Sequence, residues 1–236
     1  MNMGFRVFSV EKKVDPAIVD QFKEVVTPHI SDNMNRIHAA GAELRPYHKE
    51  GKLVGPAVTV KTRPGDNLLV HKAIDLAQPG EVIIVDAGGD TTNAIVGEIM
   101  QRIAKKKGIG GFVINGAIRD SLAFKNDTFP VFAKGVTHRG PYKDGPGEIN
   151  VPISIGGMVI HPGDLIVGDE DGLVVVPIDE AEEVLKKAQK MARNEEKIFE
   201  SIEKGTVDRT WVDRTLKEKG CDLIDMPSLI GSGERK

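Results

Sequence analysis

The stretch "DAGGDTTNAIVGEIMQRIAKKKGIGGFVINGAIRDS" (Asp86–Ser121) decides the fold. Its first residues complete the apolar run "EVIIVDAG", a strand signal. A glycine-rich turn follows, then a segment of helical periodicity that stops at Gly108, then a second apolar run, "GGFVING". Strand, helix and strand in that order predict two parallel strands joined by a helical crossover. The second run delivers an adjacent cation and carboxylate, Arg119 and Asp120, at its carboxyl end. Taken alone, that pair reads first as a surface ion pair at the start of the next helix, worth about 0–1 kcal/mol. Glycines 88 and 89 alone likewise need no more than a tight turn. Together they point to one crevice, because open α/β sheets bind ligands at the carboxyl ends of their strands.

The same alternation extends outward. Upstream, "GPAVTVKTR" predicts a strand and "NLLVHKAIDLA" a helix. Further upstream, Ile18, Val19, Phe22, Val25 and Val26 fall at helical spacing behind Asp15 and Pro16, and a second short helix is expected from Ser31 or Asp32 to Ala40. Downstream of Phe129 the runs "VFAKGV", "INVPISIGG", "MVIHPGD" and "LIVGDEDGLVVVP" are short and turn-punctuated, which predicts an antiparallel or mixed section with a hairpin at Asp171-Gly172. A long charged helix is expected from Asp179 to about Lys204, and a shorter one near Asp208–Lys219. This gives one structural domain in three parts: an N-terminal helical segment (1–52) packing on the core, a catalytic α/β core (53–178) and a C-terminal helical extension (179–236).

Composition narrows the function. With 32 basic and 35 acidic residues the formal net charge is -3, so no global field favours nucleic acid or a lipid surface. One cysteine, Cys221, rules out an internal disulfide framework. No secretory signal or membrane-spanning run is legible, and a cytoplasmic setting is expected. The six histidines lack metal-ligand spacing, and Asp169–Asp171 lacks the oxygen pattern of a calcium loop. Three Pro-Gly-acid triplets, ending at Asp66, Glu81 and Asp164, read as turns. Arg119 and Asp120 suit enolate chemistry, since a guanidinium grips an oxo-acid while a carboxylate holds Mg²⁺ or Mn²⁺ through oxygen and water.

The order of these motifs, with G-E-x-x at the helix start and K-G-x-x-G-x-V-I-x-G-x-x-R-D after it, resembles a known family. It holds the class II 4-hydroxy-4-methyl-2-oxoglutarate / 4-carboxy-4-hydroxy-2-oxoadipate aldolases and the ribonuclease E activity regulator A proteins. The resemblance covers roughly Gly55–Glu196. It implies an α/β mixed β-sheet sandwich flanked by helices, similar to the swivelling phosphohistidine-domain fold, assembled as a homotrimer or homohexamer with sites between subunits. It further implies a divalent-metal-dependent lyase that releases pyruvate from a 2-oxo acid and also decarboxylates oxaloacetate. The backbone of Gly97, Glu98, Ile99 and Met100 would bind the pyruvyl carboxylate, Arg119 the keto acid and its enolate, and Asp120 the metal. Glu195, in "ARNEEK", would come from a neighbouring subunit. Near the N-terminus the chain departs from the aldolases: "TPHISDNMNR" carries Asp32 but no glutamate. The extended C-terminal helix favours catalysis, and the alternative is a non-catalytic, protein-binding regulator of ribonuclease activity.

Overall fold

The computed structural model describes residues 2–222. It divides into two compact units, Met1–Ala192 and Arg193–Lys236. In chain order the first contains β1 (Phe5–Val7), α1 (Pro16–Phe22), α2 (Thr27–Asn33), β2 (Arg45–Pro46), β3 (Leu53–Thr62), α3 (Leu68–Leu76), β4 (Val82–Asp86) and β5 (Ala94–Val96). It continues through α4 (Glu98–Lys107), β6 (Gly111–Ile118), α5 (Ser121–Lys125), β7 (Val131–Val136), β8 (Gly147–Ile149), β9 (Ile153–Ile155), β10 (Met158–Ile160), β11 (Leu165–Asp169) and β12 (Gly172–Val176). Helix α6 (Ala181–Glu203) begins there and ends in the second unit, whose other described helix is α7 (Thr210–Glu218). None of the described helices is long and apolar enough to cross a membrane.

The parallel pairing expected from the alternating runs is present: β3, β4, β6 and β7 are consecutive parallel neighbours. Within the section expected to be antiparallel or mixed, the strand "VFAKGV" pairs parallel with β6 on one side and antiparallel with β2 on the other, and the remaining antiparallel pairing lies further downstream. That pairing comprises β8 on β3, the β11–β12 hairpin, which also lies on β3, and the separate β9–β10 pair. The result is a large mixed sheet flanked by helices.

Period-two alternation decides what each face covers. Ile83, Val85, Phe112 and Ile114 face α3, α4 and α5, while Ile84, Val113 and Phe132 face the other way, against Ile166, Leu173 and Val175 of the hairpin. The hairpin's opposite face, Leu165, Val167, Val174 and Val176, is closed by α1, α2 and the start of α6. Strand β6 is buried along all eight residues, so it reaches no solvent until Arg119.

Two local readings are corrected. The second helix runs from Thr27 to Asn33, not from Ser31 or Asp32 to Ala40. Val26 leads in extended, and the Thr27 N–H and hydroxyl donate to the buried Asp169 at 2.8 and 2.6 Å, which anchors the helix start. Asn35 and Arg36 adopt positive φ (56° and 62°), ending it early. The β11–β12 turn centres on Glu170 and Asp171, with Gly172 already opening β12.

The Pro-Gly-acid triplets are turns, with Gly65, Gly80 and Gly163 all at positive φ. Their acids do more than end a turn, because Asp66, Glu81 and Asp164 are all buried. Asp66 accepts backbone N–H groups from Leu68 (3.0 Å), Asp144 (2.8 Å) and Gly145 (2.9 Å), tying the start of α3 to the 144–145 loop. Burial alone would raise its carboxyl, but those bonds and the Arg63 guanidinium outweigh burial and hold it below the usual carboxylate range.

Asp66→Asn puts an N–H₂ group among donors, so it is expected to cost about 2–4 kcal/mol at pH 7. A folded value below the unfolded one gives stability that is present above the unfolded carboxylate value, about 4, and is lost as pH falls through the lower folded value. Urea unfolding of both chains at neutral pH and near pH 3 should show the difference shrinking in acid; equal neutral stabilities would contradict this role.

Candidate active site

The crevice forms where β6 ends. Between β4 and α4 the chain inserts the short strand β5, paired to β6, which was not read from the sequence, and the helix starts at Gly97-Glu98, where the G-E-x-x motif placed it. Gly88 and Gly89 turn tightly: the Gly88 N–H donates to Asp86 Oδ1 at 3.1 Å and the Gly89 N–H to the Asn115 carbonyl at 3.0 Å. The first N–H groups of α4 have no partner within their own helix, and β5 aims them at the end of β6.

Asp120 occupies the N-cap position of α5 but does not cap it through its side chain. Its backbone is left-handed (φ 56°, ψ 38°), a conformation that costs a non-glycine residue roughly 1–3 kcal/mol and that collects at functional sites. The turn sends the carboxylate to α4, where Oδ2 accepts the Glu98 N–H at 3.0 Å. The same oxygen lies 3.6 Å from Arg119 Nε, and both side chains remain about 40% exposed (40% and 43%). A simple helix cap or closed surface ion pair would have no need of this backbone.

Gly97 completes the arrangement by its lack of a side chain. A Cβ there would stand 2.5 Å from Asp120 Oδ2, 2.9 Å from Arg119 Cγ and 3.0 Å from Arg119 Nε. Arg119 and Asp120 therefore fill the space that a side chain at Gly97 would need.

Two depressions share Arg119. One is an open groove of about 680 Å³ whose lining includes Glu98, Asp120, Ser121, Thr137 and His138. The other is a smaller cavity of about 250 Å³ bordered by Asn67, His71, Gly97, Ile99 and Lys143. Glu98 also accepts Arg102 Nε at 2.8 Å.

Sequence similarity bears on this site. The RraA-like family model, described as Aldolase/RraA, matches residues 27–175, more than half the chain. The chain belongs to this RraA-like family. A Halalkalibacterium halodurans relative, provisionally named 4-hydroxy-4-methyl-2-oxoglutarate aldolase, is 47% identical over 178 residues, which is 75% of this chain and 85% of the relative. Among solved structures, an uncharacterised Pseudomonas syringae pv. tomato protein superposes with a TM-score of 0.75 at 29% identity, covering 83% of this chain and 96% of that one. The RNA-processing inhibitor RraA from "Thermus thermophilis" gives 0.61 at 30% identity, covering 65% and 93%.

Of the residues singled out by sequence, the fold brings Gly97, Glu98, Ile99, Arg119 and Asp120 to one place, with Met100 following on α4. The Glu98 N–H is engaged by Asp120, and the Met100 side chain is buried in the core beneath α3 and α4. Asp32 pairs with Arg36 at 2.8 Å. Glu195 lies on α6 within the second unit, beyond the residues matched by the RraA-like family. Asn67, His71 and Lys143 were missed from sequence, because the amphipathic pattern of α3 marks its core face and gives no sign of which polar residues border a cavity.

Proposed function

We propose that this RraA-like chain is a divalent-metal-dependent lyase that cleaves a C–C bond in a 2-oxo acid to give pyruvate. Its substrate would be of the 4-hydroxy-4-methyl-2-oxoglutarate type, and oxaloacetate would be decarboxylated through the same enolate. The observation that carries this reading is the left-handed Asp120, its carboxylate turned onto the α4 start beside Arg119 and around Gly97. The name of the 47% identical relative supports the same reading.

The donor set suits one kind of cation. No group of three or more His, Cys, Asp or Glu side chains forms a metal cage among the described residues, which argues against zinc held in a closed protein site. Asp120 is a half-exposed carboxylate in an open groove that Glu98 also lines. That fits Mg²⁺ or Mn²⁺ held by one or two carboxylates and otherwise by water and substrate. When bound, such an ion supplies Lewis-acid polarisation of the keto oxygen. Asp120 would hold it, and Arg119 would offer a planar pair of donors to the keto acid and to the charge that grows on the enolate oxygen. The N–H groups at the start of α4 would receive the pyruvyl carboxylate. Glu195 would join the site from a neighbouring subunit of a trimer or hexamer.

Asp120→Asn removes the ligand charge and should abolish most metal affinity and turnover while the melting curve stays close to that of the parent. Mixed oligomers of Asp120→Asn and Glu195→Gln chains should regain part of the activity if each site draws on two subunits. Unchanged metal-dependent turnover in well-folded Asp120→Asn would remove the assignment, and no recovery in verified mixed oligomers would remove Glu195 from it. Similarity to an RNA-processing inhibitor favours the second reading, a protein-binding regulator; such a protein would form no pyruvate.

A further inference from the structure

The smaller cavity poses a question that the lyase reading leaves open: which group moves the proton. Cleaving a 4-hydroxy-2-oxo acid requires removal of the C4-hydroxyl proton and later delivery of a proton to C3. Neither task suits Arg119, which stays charged, or Asp120, which serves the metal in this reading. We propose that His71 is the proton carrier, taking the hydroxyl proton of the substrate and returning it to the methylene carbon of the enolate.

Three features of the cavity support this role. Its volume, about 250 Å³, equals that of roughly eight waters, enough for a small keto acid beside Arg119. Its wall carries both the start of α4, at Gly97 and Ile99, and His71 on α3, so a substrate anchored at Gly97 and Arg119 extends toward the imidazole. Asn67 lies one helical turn before His71, hence on the same face. Its amide donates to the Ile95 carbonyl at 2.8 Å, while its buried Oδ1 has no hydrogen-bond partner among the described residues. Next to a hydroxy acid, that orphaned acceptor would orient the hydroxyl.

The charged groups around His71 favour a neutral ring. Lys143 and Arg119 border the cavity, and among the described residues no carboxylate does. Burial and then Lys143 push the imidazole below its ordinary value, against a smaller opposing pull from Asp75 on the same helix. At neutral pH the ring is therefore unprotonated and able to act as a base. His138 is exposed and lines the open groove, not the smaller cavity.

The step balances within the site. The C4–O–H proton passes to the imidazole, the O–H electron pair forms the C4 carbonyl, and the C3–C4 bond breaks to leave its pair on the pyruvate enolate. The imidazolium then protonates C3, which restores neutral His71 and completes pyruvate.

This role rests on the lyase reading, and comparing two reactions separates the two claims. Oxaloacetate decarboxylation has no hydroxyl proton to remove, whereas aldol cleavage and exchange of the pyruvate methyl protons both need the carrier. In His71→Gln, cleavage of 4-hydroxy-4-methyl-2-oxoglutarate and methyl-proton exchange should each fall about 10²-fold or more, with single-turnover CO₂ release from oxaloacetate, which precedes protonation of the enolate, reduced by less than tenfold. The acid limb of the parent's pH–rate profile should disappear. In the metal-free chain, NMR titration of His71 should give a value below about 6.5, rising in Lys143→Ala. Parental cleavage rates in His71→Gln, or loss of the acid limb in His138→Gln instead, would overturn the role of His71 alone. Absence of both reactions in the unaltered chain would overturn the lyase reading and this role with it.

Discussion

Arg119→Lys should lower kcat for pyruvate formation by about 10²–10³, equivalent to roughly 3–4 kcal/mol of transition-state stabilisation, and leave the melting temperature almost unchanged. The exchange keeps the charge and removes the planar fork, so it separates two roles that charge alone cannot distinguish. The side chain is 40% exposed and its nearest carboxylate contact is 3.6 Å, so a purely electrostatic surface role is worth about 0–1 kcal/mol, and lysine would fill it. A guanidinium shared by two cavities that bears on a keto acid, as proposed, would lose its geometry where negative charge grows. The measurement is kcat and KM for oxaloacetate at saturating Mg²⁺ beside a melting curve. Parental kcat with an unchanged melting temperature would mark the pair as structural, and the regulator reading would then lead.

Gly97→Ala should be nearly as damaging to activity and comparably mild to the fold. The backbone at Gly97 is extended (φ -149°, ψ -170°), so alanine meets no backbone strain there. Its Cβ would instead stand 2.5 Å from Asp120 Oδ2 and 2.9 Å from Arg119 Cγ. Those atoms belong to half-exposed side chains and can yield, but only by moving the two groups to which the proposed chemistry is assigned. Misplacement on the scale of an ångström is enough to cost about 10²-fold in rate. Metal affinity by calorimetry and kcat should fall together in Gly97→Ala, with thermal unfolding shifted little. Retention of both at parental values would show that Gly97 serves only the packing of α4.

Much of this site was legible because its parts sit at the ends of strongly patterned elements. The apolar run of β6 stops at Arg119, and the three lysines before Gly108, which is left-handed at φ 79°, mark the end of α4. What stayed hidden depended on distant partners. The start of α2 is set by Thr27 bonding to Asp169, 142 residues away, and no local periodicity reports such a contact. Strand β5 is three residues long and wholly buried, too short to show a period, yet it fills the stretch between the glycine turn and the helix start at Gly97. The acids of the Pro-Gly triplets read only as part of the turns because the partners that bury them return later in the chain, as with Asp66 and the 144–145 backbone. The cavity behind Arg119 was invisible for the same reason, since Lys143 joins His71 from a different part of the chain.

The central claim is that Arg119 and Asp120 form a metal-dependent site for releasing pyruvate. Its most direct test is a coupled pyruvate assay on the metal-stripped chain, with 4-hydroxy-4-methyl-2-oxoglutarate and oxaloacetate as substrates, before and after addition of Mg²⁺ or Mn²⁺. The account predicts negligible pyruvate without metal, saturable release from both acids once metal is restored, and collapse of both rates in Asp120→Asn. A folded, metal-loaded chain that releases no pyruvate from either acid, or releases it equally well with Asp120→Asn, would contradict it.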